Sequence, residues 1–123
     1  MKVQTNELTG HALDWAVARV SNPQWWDEGY MDDPLDALYM DDGTMYAPST
    51  NWAQGGPIIE REGIDTLKDG AGWTALKTMT INHPHLRVYG PTPLIAAMRC
   101  YVASKLGDTI EVPEELLGSV NLC

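Results

Sequence analysis

The stretch PSTNWAQGGPIIERE, over 48–62, gathers Ser49, Thr50, Asn51, Trp52, Gln54, Gly55, Gly56 and Arg61. Its uncharged polar side chains supply donors and acceptors with no net charge. Trp52 offers a flat apolar face for a ring. Gly55 and Gly56 take backbone conformations closed to other residues and leave amide N–H groups open to an anion or a carbonyl. Arg61 can clamp a phosphate or carboxylate through paired bonds, with Glu60 or Glu62 to hold it. Such a set suits a small polar ligand with a ring and a negative group, a nucleotide-like molecule. It suits scaffold as well: Ser-Thr-Asn is turn chemistry, Trp52 can cap a core, and Gly-Gly-Pro can bend into a strand. Arg87, Tyr89 and Arg99 are secondary candidates. Arg99 falls within an apolar helical run, where its charge needs a partner such as Glu60 or Glu111.

Motifs for catalysis are missing. The sequence has no GxSxG elbow, no GxxxxGK[ST] phosphate loop and no HExxH metal helix. His83-Pro84-His85 spaces two imidazoles as on one strand face, yet Pro84 favours a turn and a metal needs a third ligand. Neither a metal nor another cofactor is expected. Cys100 and Cys123 match no metal-ligand spacing. Cys100 reads as a small core residue of a helix, and a disulfide is not expected.

Several elements must position these residues. Leu8, Ala12, Leu13, Ala16, Val17 and Val20 recur at helical spacing, which predicts a helix over 6–20 capped by Thr5 or Asn6. Pro34 to Met40 suits a short helix, Asp41-Asp42-Gly43 a turn, and Thr44 to Ala47 a strand. Pro57 to Glu60 reads as a second extended stretch closed by Gly63. A strand is predicted over 85–89, with Leu86 and Val88 on one face and His85, Arg87 and Tyr89 on the other. The clearest helix is 93–106, with Thr92 as N-cap, Pro93 at the first helical position, and Gly107 after its end. Leu94, Met98, Val102 and Leu106 form its stripe. A short strand over 109–112 and a helical turn after Pro113 complete the pattern. The fold class is α+β: a small single domain, 1–123, with two main helices packed on a short, mostly antiparallel sheet and long irregular loops. The acidic, loop-rich segment 21–43 reads as an insertion.

Composition bounds the partners. At 123 residues, 44% hydrophobic, the chain suits one globular core. No apolar run approaches a membrane span, and the N-terminal residues lack a secretory signal, so a cytosolic protein is expected. Aromatic usage is lopsided, with five Trp, five Tyr and no Phe. Most of the Trp residues are expected at the edge of the core, Trp52 being set apart by its polar neighbours. The net charge is −9, and no Lys or Arg falls between Arg19 and Arg61. That gap holds Asp27, Glu28, Asp32, Asp33, Asp36, Asp41, Asp42 and Glu60. Such a surface repels phosphate backbones, so direct nucleic-acid binding is not expected. The 27–42 stretch is either a solvated loop or a contact for a basic protein.

Three blocks in order, ELTGHALDWAVARV, STNWAQGGPIIEREGI and YGPTPLIAAMRCYVASKLGDTIEVPEEL, resemble the phage NinX family, small proteins of lambdoid and other tailed bacteriophages. The resemblance spans nearly the whole chain apart from 21–43. It implies a phage accessory protein made in the cytoplasm of the infected host, and it carries no catalytic residues. The function expected from residues and resemblance together is non-enzymatic capture of a small polar or nucleotide-like molecule, such as a host defence signal. An acidic module that binds a host or phage protein is the alternative. Pockets built between subunits make a homo-oligomer the expected assembly.

Overall fold

The computed structural model describes residues 1–21, 38–40, 42–77 and 86–116. The order is β1 (Lys2–Gln4), a 3-10 turn (Thr5–Glu7), α1 (Gly10–Ser21), α2 (Trp52–Glu62), β2 (Asp65–Asp69), β3 (Gly72–Lys77), β4 (Leu86–Gly90), α3 (Pro93–Leu106) and β5 (Thr109–Glu111). This is a small α+β domain with two antiparallel sheets, β2-β3-β4 and β1-β5.

Helix α3 is central. Thr92 Oγ1 accepts the Ile95 N–H at 3.1 Å, Pro93 opens the first turn and Gly107 follows the last, as local chemistry dictates. Leu94, Ala96, Ala97, Met98, Cys100, Tyr101 and Val102 are all buried, more than one face of a surface helix would enclose. The reason is its position: α3 packs on the three-stranded sheet and also receives α1 and α2. Close approach to β4 depends on Gly90, where a Cβ would meet the Ala96 backbone nitrogen at 2.6 Å. Burial pushes the Cys100 thiol up to about 11, in keeping with a core side chain.

The register Ala75↔Val88 places two buried residues on the α3 side of the sheet. Arg87 and Tyr89, paired with Leu76 and Thr74, therefore project from the opposite face. The β2–β3 hairpin was not anticipated. Its connection is the pair Gly70-Ala71, with Gly70 at φ 62°, and the Asp69-Gly70 dipeptide is its sequence signal.

Four further expectations change. The first long helix starts at Gly10 rather than at 6, because Thr5 does not cap it. Thr5 is buried, its N–H donates to Asp108 O at 2.8 Å, and its hydroxyl donates towards the carbonyls of Gly107 and Asp108. The N-terminal segment is thereby tied to β5. Second, 44–47 is no strand. Among the described residues only the Tyr39↔Met45 bridge forms, across a turn in which Asp42 Oδ1 accepts the N–H and hydroxyl of Thr44.

Third, Pro57 to Glu60 is helical rather than extended, so α2 joins α1 and α3 among the described residues. Asn51 Oδ1 accepts the Ala53 N–H at 2.9 Å, and Gly63 ends the helix in the left-handed conformation at φ 65°. Gly56 has no Cβ to clash with Pro57, which removes the usual bar to helix before proline. Gly55, Ile58, Ile59 and Glu62 then form the inward face at helical spacing. Fourth, Trp15 lies in the interior at 0% exposure rather than at the edge of the core. The helix expected over 34–40 falls mostly outside the described residues, as do Leu117, His83, His85, Cys123 and every residue of the acidic gap except Asp42 and Glu60.

Candidate functional site

The sequence-selected residues separate into two regions. In and around α2, most polar groups serve the fold. Ser49 is buried, and its N–H donates to Asp14 Oδ1 at 2.9 Å. Burial raises the Asp14 carboxyl above its ordinary range, against the hydrogen bonds from Ser49 that favour its charge. Gln54 Oε1 accepts the Ala47 N–H, and its amide nitrogen donates to Met45 O at 3.4 Å. Thr50 is exposed, with its N–H on Ala47 O at 3.1 Å, and Asn51 is the helix cap.

Gly55 offers no open cradle for an anion. Its N–H bonds Asn51 O at 2.8 Å, and a Cβ there would lie 2.3 Å from Pro48 O and 2.6 Å from Leu94 Cδ2. Its role is to let α2 approach the 47–50 turn and α3. Trp52 is 55% exposed at the first turn, with Gly56 beside its ring.

Arg61 is engaged at the far end of α2. Its Nε meets Glu62 Oε2 at 3.1 Å, and its Nη2 donates to Tyr101 Oη at 3.1 Å. Glu62 also takes Lys77 at 3.1 Å and Lys105 at 3.3 Å. Burial works against the charge of Glu62, but hydrogen bonds from Arg61, Lys77 and Lys105 outweigh it and bring the carboxyl down to about 2. This knot joins α2, β3 and α3.

The second region lies along β4, an edge of its sheet among the described residues, where Arg87, Tyr89 and Arg99 come together. They share a cleft of about 390 Å³ with Asn6, Asp69, Thr74 and Val88. Tyr89 is 51% exposed and lies over Gly72, where a Cβ would meet the Tyr89 hydroxyl at 2.4 Å. Only a glycine lets the ring rest on the sheet there. Arg99 is bonded to carbonyls rather than to Glu60 or Glu111: Nε donates to Leu8 O at 2.7 Å and Nη1 to Tyr89 O at 3.0 Å. Burial lowers its pKa while the charge of Glu7 opposes that. Glu111 instead meets the N-terminal ammonium at 3.1 Å. Arg87 is exposed and has no hydrogen-bond or ion-pair partner among the described residues.

Asn6, Asp69 and Thr74 escaped the sequence reading. Thr74 Oγ1 donates to Asp69 Oδ2 at 3.0 Å across the β2–β3 hairpin. Recognising the Asp69-Gly70 turn would have placed both residues on the face that carries Arg87 and Tyr89. Neither this cleft nor the one that adjoins it draws a residue from 49–61.

The family model described as "Bacteriophage P22, NinX" matches residues 4–105. The chain belongs to the NinX family. The match includes α1, α2, the three-stranded sheet and all of α3 except its last residue, so this NinX member carries both regions within the family's span. No curated protein matches the chain. Among the described residues no helix is long and apolar enough to cross a membrane, and no group of three His, Cys, Asp or Glu is placed to hold a metal ion.

Proposed function

We propose that this NinX-family phage protein captures a small, polar, nucleotide-like molecule without chemically altering it, and that its site is the cleft at the edge of β4. The observation that carries the reading is the union of Arg87, without a partner among the described residues, an anchored Arg99 and the half-exposed ring of Tyr89 in one cleft. A guanidinium free of internal partners is available for a phosphate or carboxylate. A tyrosine supported from below by Gly72 presents a surface for a ring. The cleft volume is within the range of small-ligand sites.

Trp52 and Arg61 do not enter this cleft, which moves the proposed site from α2 to β4. Stoichiometric capture in the host cytoplasm would suit a phage protein acting against a host signal. Calorimetric titration with adenosine monophosphate tests the reading. Saturable binding, loss of at least about ten-fold in affinity in Arg87→Ala, and recovery of intact nucleotide after denaturation are expected. Absence of binding, or binding indifferent to Arg87, would remove the cleft from consideration. Release of adenosine or free phosphate would make the protein an enzyme.

A further inference from the structure

A second cleft, about 350 Å³, adjoins the first along β4. Gln4, Thr5, Leu86, Ala103, Asp108 and Thr109 line it, and it shares Asn6, Arg87 and Val88 with its neighbour. The first runs over the face of the three-stranded sheet and the second lies between β4 and the β1–β5 sheet, so the two make adjoining lobes with Arg87 at their junction. Each lobe contains a carboxylate, Asp69 in one and Asp108 in the other.

A carboxylate on either side of Arg87, with the carbonyl-bound Arg99 added in the first lobe, constrains what fits. A phosphate in the second lobe would face Asp108, and one deep in the first would face Asp69 beside the carbonyl-bound Arg99, whereas at the junction it meets Arg87, which holds no partner among the described residues. Beyond the junction each lobe offers acceptors to hydroxyl or amino donors: Asp69, already oriented by Thr74, and the exposed carboxylate of Asp108. Tyr89 adds a stacking surface to the first lobe. Resting on the ligand-binding reading above, we infer that the groove takes a two-armed ligand, a dinucleotide whose bridging phosphate lies on Arg87 and whose two nucleoside arms occupy the two lobes.

The test compares adenylyl-adenosine with adenosine monophosphate by calorimetry on the parent protein and on Thr109→Trp. Thr109 is exposed, so an indole there fills the second lobe without entering the core, and a thermal melt checks that the variant is folded. The two-armed probe is expected to bind at least about ten-fold more tightly than the monophosphate, although its bridge carries less charge, because linking the arms makes the second contact intramolecular. Thr109→Trp is expected to abolish that advantage while leaving the monophosphate affinity within about two-fold, since its lobe is untouched. Equal affinity for both probes, or an advantage that survives Thr109→Trp, would overturn the two-lobed ligand and leave the single-cleft reading standing. Failure of both probes to bind would overturn the two together.

Discussion

Arg61 on α2 and Arg87 on β4 are the same side chain in opposite circumstances. Arg61 is tied to Glu62 and Tyr101 within a knot that joins three elements. Arg87 stands exposed at a groove with no partner among the described residues. The contrast extends to their neighbours. Around α2 the Asn51 and Gln54 side chains accept from the backbone of their own fold and the Ser49 N–H donates to Asp14, while Tyr89 and Asp108 remain presented to the groove. Ligand-like composition is therefore a poor guide by itself. A side chain that satisfies a neighbouring backbone group is stabilising the protein, and a charge left without a partner at a concave surface is available for something else.

If α2 is structure and the β4 edge is site, substitutions should divide along the same line. The largest effect is expected at Gly55. Gly55→Ala drives a methyl group into the Pro48 carbonyl and should cost about 2–3 kcal/mol in urea unfolding. Gly56→Ala sets a Cβ against Pro57 within the helix but meets no tertiary neighbour nearer than Trp52 Cε3 at 4.0 Å, so it should cost less, about 1 kcal/mol. Similar costs at both positions would break the argument that Gly55 is there for close packing.

Glu62→Gln is next, with an expected loss of about 1–3 kcal/mol at neutral pH from weakened charge-assisted bonds. Its pH dependence sharpens the assignment. Its three cationic partners hold the folded carboxyl down at about 2, below the ordinary 4.5. Its contribution is therefore present above pH 4.5 and lost as the pH falls towards 2. Melts of parent and variant should converge over that acid window. A gap that persists at the acid end would show that Glu62 acts through packing rather than charge.

Arg87→Ala should change unfolding free energy by less than about 0.5 kcal/mol, as an exposed unpaired residue does. Its effect belongs in the adenosine monophosphate titration. A strongly destabilised Arg87→Ala would place this arginine with Arg61 as a structural residue and erase the contrast. A small effect is also expected at Trp52. With its ring 55% exposed, Trp52→Ala should cost about 1 kcal/mol or less, well short of the roughly 3–5 kcal/mol for a core tryptophan. It should also leave monophosphate binding at the β4 cleft unchanged. Loss of binding in this variant would return the site to α2.

Much of the fold was legible because its signals are local. Thr92, Pro93 and Gly107 bracket α3 with chemistry that acts within a turn, and the alternation of Arg87, Val88 and Tyr89 follows from strand geometry. The signals for α2 were local too. Asn51 and Gln54 have the spacing of a helix start, and Gly55, Ile58, Ile59 and Glu62 have helical period. Pro57 and the glycine pair obscured them, because both residue types favour a break when nothing compensates. The candidate site was half legible. Arg87, Tyr89 and Arg99 stood out as side chains, but no periodicity brings Asn6, Asp69 and Thr74 beside them.

The sequence by itself determined the family, the α+β class, the limits of α3 and the acidic balance of the chain, since each depends on residue identity or on spacing within a few positions. Tertiary structure alone decided which polar residues would be consumed by the fold. Ser49 meets Asp14 and Arg61 meets Tyr101 only because α1, α2 and α3 pack together. Thr5 meets Asp108 because the first and fifth strands pair. The pairing that seats β4 beside β3 leaves Arg87 over a groove where no carboxylate among the described residues reaches it to form an ion pair. Partnership between residues far apart in sequence depends on packing distance, and local spacing carries no information about that distance.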